Sequence, residues 1–204
     1  MALIKINNQS LSNVTALPAG VGGDGGFKFI KKVTLSSSNG IFSATNLFSA
    51  DYNHYKLIWE ISNSVTNVAN HFQWIKASDG SIDTTSSIDY VVVGRDNDTA
   101  LREKMANDQT HWVIEDDDLE VGHKHYQEMN VYDPFNTVRA NVSGNGNYTI
   151  NADDDVTTFH YAAGTNQTTS YSGIHLLVSA SVGGSANSSN TITGRLLVYG
   201  MAEA

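Results

Sequence analysis

Tyr55-Lys56-Leu57-Ile58-Trp59-Glu60-Ile61 is the stretch on which the fold turns. Tyr55, Leu57, Trp59 and Ile61 fall on one parity, and Lys56, Glu60 and Ser62 on the other. In an extended chain successive side chains point to opposite faces, so this alternation sets an apolar face against a core and turns a polar face away from it. The pattern recurs outward in both directions. Phe27, Phe29, Val33 and Leu35 alternate with Lys28, Lys32 and Thr34. Val68, Phe72 and Trp74 alternate with His71 and Gln73, and Val138, Ala140 and Val142 with Arg139 and Asn141. Ile174, Leu176, Val178, Ala180 and Val182 form the longest set. Trp59 and Trp74 keep phase with the aliphatic residues around them and are expected in the core.

Turn residues separate these runs: Asn39-Gly40, Asp79-Gly80, Gly144-Asn145-Gly146-Asn147, and Gly183-Gly184 opening a polar loop through Asn190. Each offers the positive-φ residues that hairpins need. About ten strands at such spacing predict an all-β fold, an antiparallel β-sandwich of jelly-roll type. One stretch departs from the pattern. Thr99 to Ala106 is rich in helix formers, Leu101 and Met105 are four apart, and Asp98 is a candidate N-cap, so one short helix is expected across an end of the sandwich. Glu115 to Asp118 and Asp153 to Asp155 read as exposed loops.

Residues 1–26 differ from the rest. Their aliphatics follow no sustained period, and they end in a Gly-rich hinge, Gly20 to Gly26. Such a segment has no core of its own. It is expected to be a docking arm, anchored on a partner through Leu3, Ile4, Ile6, Leu11, Val14, Leu17 and Pro18, with residues 27–204 forming the sandwich domain.

The bulk composition narrows the function. At 204 residues one domain is the default, and zero Cys excludes disulfides and thiolate metal sites. Twelve basic against twenty-one acidic residues give a net charge of −9, a poor match for nucleic acid. Met1 to Ala19 lacks the apolar core of a signal peptide, and no apolar run has the length of a membrane span. The expectation is a chain made in a cytoplasm, without membrane insertion.

The N-terminal residues also carry a resemblance. Met1-Ala2-Leu3-Ile4-Lys5-Ile6-Asn7-Asn8-Gln9-Ser10-Leu11-Ser12, followed by Val14-Thr15-Ala16-Leu17-Pro18-Ala19-Gly20, resembles the leader of accessory structural proteins of tailed bacteriophages, marine ones especially. The aromatic-rich strand at Tyr55 to Ile61, the loop Asp79-Gly80-Ser81 after a strand ending at Lys76, and the closing strand Gly194-Arg195-Leu196-Leu197-Val198-Tyr199-Gly200 are similar to that group in arrangement. The resemblance implies a virion surface protein on head or tail: a head decoration, knob or adaptor, or a tail-fibre module that recognises host glycans. Other virion proteins would be its partners, and a homo-oligomer, a trimer among the options, its state.

Candidate sites are few. His123 and His125 are two apart, so in a strand two imidazoles would share a face, but no third same-face ligand accompanies them and two ligands rarely hold zinc. The pair is expected to be two exposed histidines on a polar strand. Asp96-Asn97-Asp98 lacks the Gly and distal Glu of a calcium loop, and the contiguous Asp runs splay their side chains apart. Trp112, between His111 and Val113 beside an acidic loop, is the candidate for a glycan contact. No nucleophile elbow or phosphate loop occurs. The chain is therefore expected to be non-enzymatic and to use no cofactor.

Overall fold

The computed structural model describes residues 26–66, 68–95, 101–114, 121, 123–150, 155–179 and 185–201. These residues are all-β and form two antiparallel sheets. The strands are β1 (Lys28–Ser37), β2 (Ile41–Ala44), β3 (His54–Asn63), β4 (Ala69–Lys76), β5 (Ile88–Arg95), β6 (Leu101–Gln109), β7 (Trp112–Val113), β8 (His125–Tyr132), β9 (Asn141–Ile150), β10 (Asp155–Thr165), β11 (Tyr171–Ser179) and β12 (Ile192–Met201). The large sheet has the order β1-β12-β3-β8-β9-β10-β5-β6 and the small one β2-β11-β4-β7.

The core follows from the alternation. Tyr55, Leu57, Trp59 and Ile61 on β3 are fully buried, as are Ile174, Leu176 and Val178 on β11. Trp59 meets Phe72 of the small sheet edge-on at 5.4 Å. Phe72 stacks on Trp112 at 5.9 Å, Trp112 packs on Trp74 at 4.8 Å, and Trp74 stacks on Tyr171 at 4.9 Å. Each such ring pair adds about 0.5–1.5 kcal/mol beyond the area it buries.

Four expectations are corrected. First, among the described residues there is no helix, and Leu101 to Ala106 lie in β6, paired with β5. The four-residue spacing of Leu101 and Met105 suits a strand face as well as a helix face, and the open edge of β5 supplies backbone partners that outweigh helix propensity. Second, the alternation expected from Phe27 to Leu35 is broken by a bulge between Phe29 and Lys31. The extra residue turns Phe29 outward beside Tyr199, whereas Leu35 stays buried. Third, Val138 is exposed in the connection before β9, and the strand begins only at Asn141.

The fourth concerns Gly144-Asn145-Gly146-Asn147, which runs through the middle of β9 and is not a turn. Tyr161 pairs across from Gly144, and Phe159 across from Gly146. A Cβ at Gly146 would come within 2.5 Å of both the Phe159 ring and the Tyr126 carbonyl oxygen, and one at Gly144 would overlap the Tyr161 hydroxyl. The two rings lie down across β9, and the Tyr161 hydroxyl donates to the Glu128 carbonyl on β8 at 3.1 Å. The glycines are slots for aromatic side chains, a cross-strand device that also pins register. Turn glycines do occur at Gly40 (φ 70°) and Gly80 (φ 73°). Ala180, Val182, Gly183 and Gly184 fall outside the described residues.

Candidate functional site

The outward face of the large sheet is the surface the fold leaves open. Cross-strand pairing arranges its side chains in rows that span β8, β9, β10 and β5. One row is Tyr126, Asn147, Thr158 and Arg95; the next is Glu128, Asn145, His160 and Val93. The third is Asn130, Ser143, Ala162 and Val91, and the fourth Tyr132, Asn141, Gly164 and Asp89. On β9 and β10 these residues are mostly small, whereas Tyr126, Glu128 and Tyr132 form one bank and Val93, Arg95 and Met105 lie on the other side. The difference in side-chain length hollows a trough along β9 and β10. It contains two depressions, of about 520 Å³ around Asn145, Asn147 and His160 and about 550 Å³ around Asn141, Ser143 and Ala162. From Asn141 to Asn147 it runs about 20 Å, six strand rises.

Several of the charges beside the trough are internally paired, while Arg95 and Asp89 stand at the ends of the first and fourth rows. Glu128 meets Lys56 at 2.8 Å. Glu60 accepts a hydrogen bond from Lys124 at 2.7 Å and pairs with Arg195 at 2.9 Å. The Lys124 hydrogen bond holds the Glu60 carboxyl below the usual carboxylate range against the cost of burial, and Arg195 adds to the effect. Tyr126 and Tyr132 are 44% and 38% exposed, and Tyr132 is fixed by stacking on His54 at 4.5 Å. The bottom of the trough thus offers side-chain amides and hydroxyls, its bank offers tyrosine rings, and its net charge is low.

The residues singled out in the sequence are placed elsewhere. Trp112 is fully buried between Phe72 and Trp74, so it presents no face to a sugar, and that expectation is withdrawn. His125 is not an exposed strand residue: it opens β8 inside the core, its ring 6.1 Å from that of Tyr148. His123 precedes the strand and is part-exposed, so the two imidazoles do not share an open face. No group of three metal-ligating side chains occurs among the described residues. The arm anchors Leu3, Ile4, Ile6, Leu11, Val14, Leu17 and Pro18 lie outside the described residues, as do Asp96 to Asp98, Glu115 to Asp118, Asp153 and Asp154.

Two serine–histidine pairs resemble catalytic dyads at first sight. Ser43 Oγ lies 2.8 Å from His175 Nδ1, and Ser179 Oγ 3.0 Å from His71 Nε2. His71 and His175 are 2% and 4% exposed, which leaves no approach for a substrate. Burial holds both imidazoles below the ordinary histidine range. These pairs satisfy buried polar groups and act as structural cross-strand ties.

The trough residues had a signal in the sequence. Asn141, Ser143, Asn145 and Asn147 alternate with Val142 and with the glycines at 144 and 146, a half-buried strand whose apolar partners are supplied by β10. No protein-family model, no curated protein and no solved structure matches this chain.

Proposed function

We propose that this chain is a non-catalytic structural module displayed on a tailed-bacteriophage particle, as a head decoration, knob or adaptor. It docks through residues 1–26 onto other virion proteins and assembles as a homo-oligomer. The observation that carries the reading is the strand order. The run β1-β12-β3-β8 opposite β2-β11-β4-β7 supports a jelly-roll reading of the sandwich, with the hairpins β5–β6 and β9–β10 added to one sheet. That fold recurs in viral capsid and lectin domains. The leader resemblance points the reading toward the virion.

The carboxylates support a non-catalytic role. Glu128 and Asp89 line opposite corners of the trough, three strand spacings across and four residues along, about 20 Å apart, wider than the roughly 5–9.5 Å of a glycosidase pair. Glu60 and Glu128 are diagonal neighbours, each engaged in an ion pair, and the Lys124 hydrogen bond holds the Glu60 carboxyl low, whereas a general acid needs a raised pKa. A second reading, a tail-fibre or receptor-binding module for host glycans, is favoured by the trough itself.

Imaging labelled full-length protein on intact particles tests the first reading, with a chain lacking residues 1–26 beside it. The full chain should decorate particles. The truncated chain should stay folded, with a similar melting transition, and lose the association. Unfolding of the truncated chain would assign the segment to its own core, and undiminished binding would move the docking surface onto the sandwich.

A further inference from the structure

We infer that the trough on the large sheet is a binding site for a neutral oligosaccharide, with Tyr126, Asn145, Asn147, Thr158 and His160 as its principal contacts. The inference rests on the chain being a binding sandwich and holds wherever the chain is located. A pyranose presents hydroxyls that both donate and accept, and a patch of C–H that is apolar. Asn145 and Asn147 each offer two donors and an acceptor, and the Thr158 hydroxyl offers both roles. All three side chains, with His160, are exposed on one face of β9 and β10. Asn147 sits directly between Tyr126 and Thr158, and Asn145 between Glu128 and His160. A ring resting on Tyr126 would therefore meet an amide at its edge.

The charge pattern chooses among glycans. Lys56 is paired with Glu128 at 2.8 Å, and Arg95 beside Thr158 is a single cation at the end of its row, so the four rows present no cation cluster to sulfates or sialic acids. The whole chain is at −9, which repels polyanions. A neutral chain of sugars lying along the strands meets neither penalty. The length of about 20 Å accommodates several sugar residues, with Tyr132 at the far end as a second ring already fixed against His54. Each contact is open to water, so single-site affinity is expected to be weak and raised by multivalent display.

The test is a printed panel of neutral oligosaccharides built from glucose, galactose and N-acetylglucosamine, beside sialylated and sulfated ones, probed with the full chain. The best neutral oligosaccharide is then titrated in solution. Neutral hits are expected, weakened at least about tenfold by Tyr126→Ala and by Asn147→Ala, and unchanged by Phe29→Ser on β1. Circular dichroism melting of each variant establishes that it is folded. The inference is overturned if no neutral oligosaccharide binds at millimolar concentration, if hits are confined to acidic glycans, or if both trough variants bind as the parent does. It is also overturned if sedimentation shows an oligomer that Tyr126→Ala dissociates, since the trough would then be a subunit interface. Cleavage of the bound oligosaccharide would refute the non-catalytic reading and leave the site standing, whereas absence from particles would refute only the virion reading.

Discussion

Acid should weaken this protein well above the pH at which its carboxylates titrate, and His71 is the main reason. The side chain is 2% exposed on β4, stacked on His111 at 4.7 Å, with its Nε2 3.0 Å from the Ser179 hydroxyl. Burial, then the neighbouring His111 and Lys104 charges, push its pKa down to about 3. The unfolded chain keeps the ordinary value of about 6.5. Between those values the unfolded state binds one more proton than the folded state, so the contribution of neutral His71 is complete above pH 6.5 and declines as pH falls toward 3. The slope for one proton is about 1.4 kcal/mol per pH unit. From pH 6.5 to 5.0 His71 alone removes about 2 kcal/mol, a large share of the roughly 5–15 kcal/mol that holds a typical domain. Burial lowers His111, His175 and His54 too, in the same direction. Urea unfolding at pH 7.5 and 5.0 measures the loss, and His71→Gln, which keeps a polar group toward Ser179, should recover about 2 kcal/mol of it. An equal loss in the variant would refute the argument. So would a native-state imidazole resonance of His71 that titrates near 6.5, a readout that does not depend on the variant folding.

Two further predictions concern the core. Trp112→Ala should cost roughly 3–5 kcal/mol in denaturant unfolding, because the ring is packed between Phe72 and Trp74; a cost below about 1 kcal/mol, ordinary for surface sites, would place it at the surface after all. Gly146→Ala should destabilise by roughly 1–3 kcal/mol, since the new methyl would press on the Phe159 ring and the Tyr126 carbonyl. An unchanged or raised melting temperature would show that the ring does not lie over this position.

The fold class was legible because local period and global packing agree. Tyr55, Leu57, Trp59 and Ile61, and likewise Ile174, Leu176 and Val178, share a parity in sequence and are all buried, and Trp59 and Trp74 are buried in phase with their aliphatic neighbours. Where the local signal admits two geometries, legibility ended. Leu101 and Met105 satisfy either period, and the free edge of β5 decides for the strand. The single-residue bulge after Phe29 leaves no mark in composition yet reverses the facing of two aromatic residues.

The candidate site was the least legible part, for a related reason. The sequence marked Trp112 and the His123/His125 pair by residue type, and residue type does not reveal burial. Trp112 and His125 are both in the core. The glycines of β9 are turn residues by local rule, and only the rings arriving from β10 make them strand residues. By itself the sequence determined an acidic, cysteine-free, all-β chain with its apolar residues in alternating sets, because period and charge are properties of neighbours along the chain. The tertiary structure decided that β8, β9 and β10 lie side by side, and hence that Tyr126, Asn147 and Thr158 share a row, because strand pairing is set by packing between segments far apart in sequence.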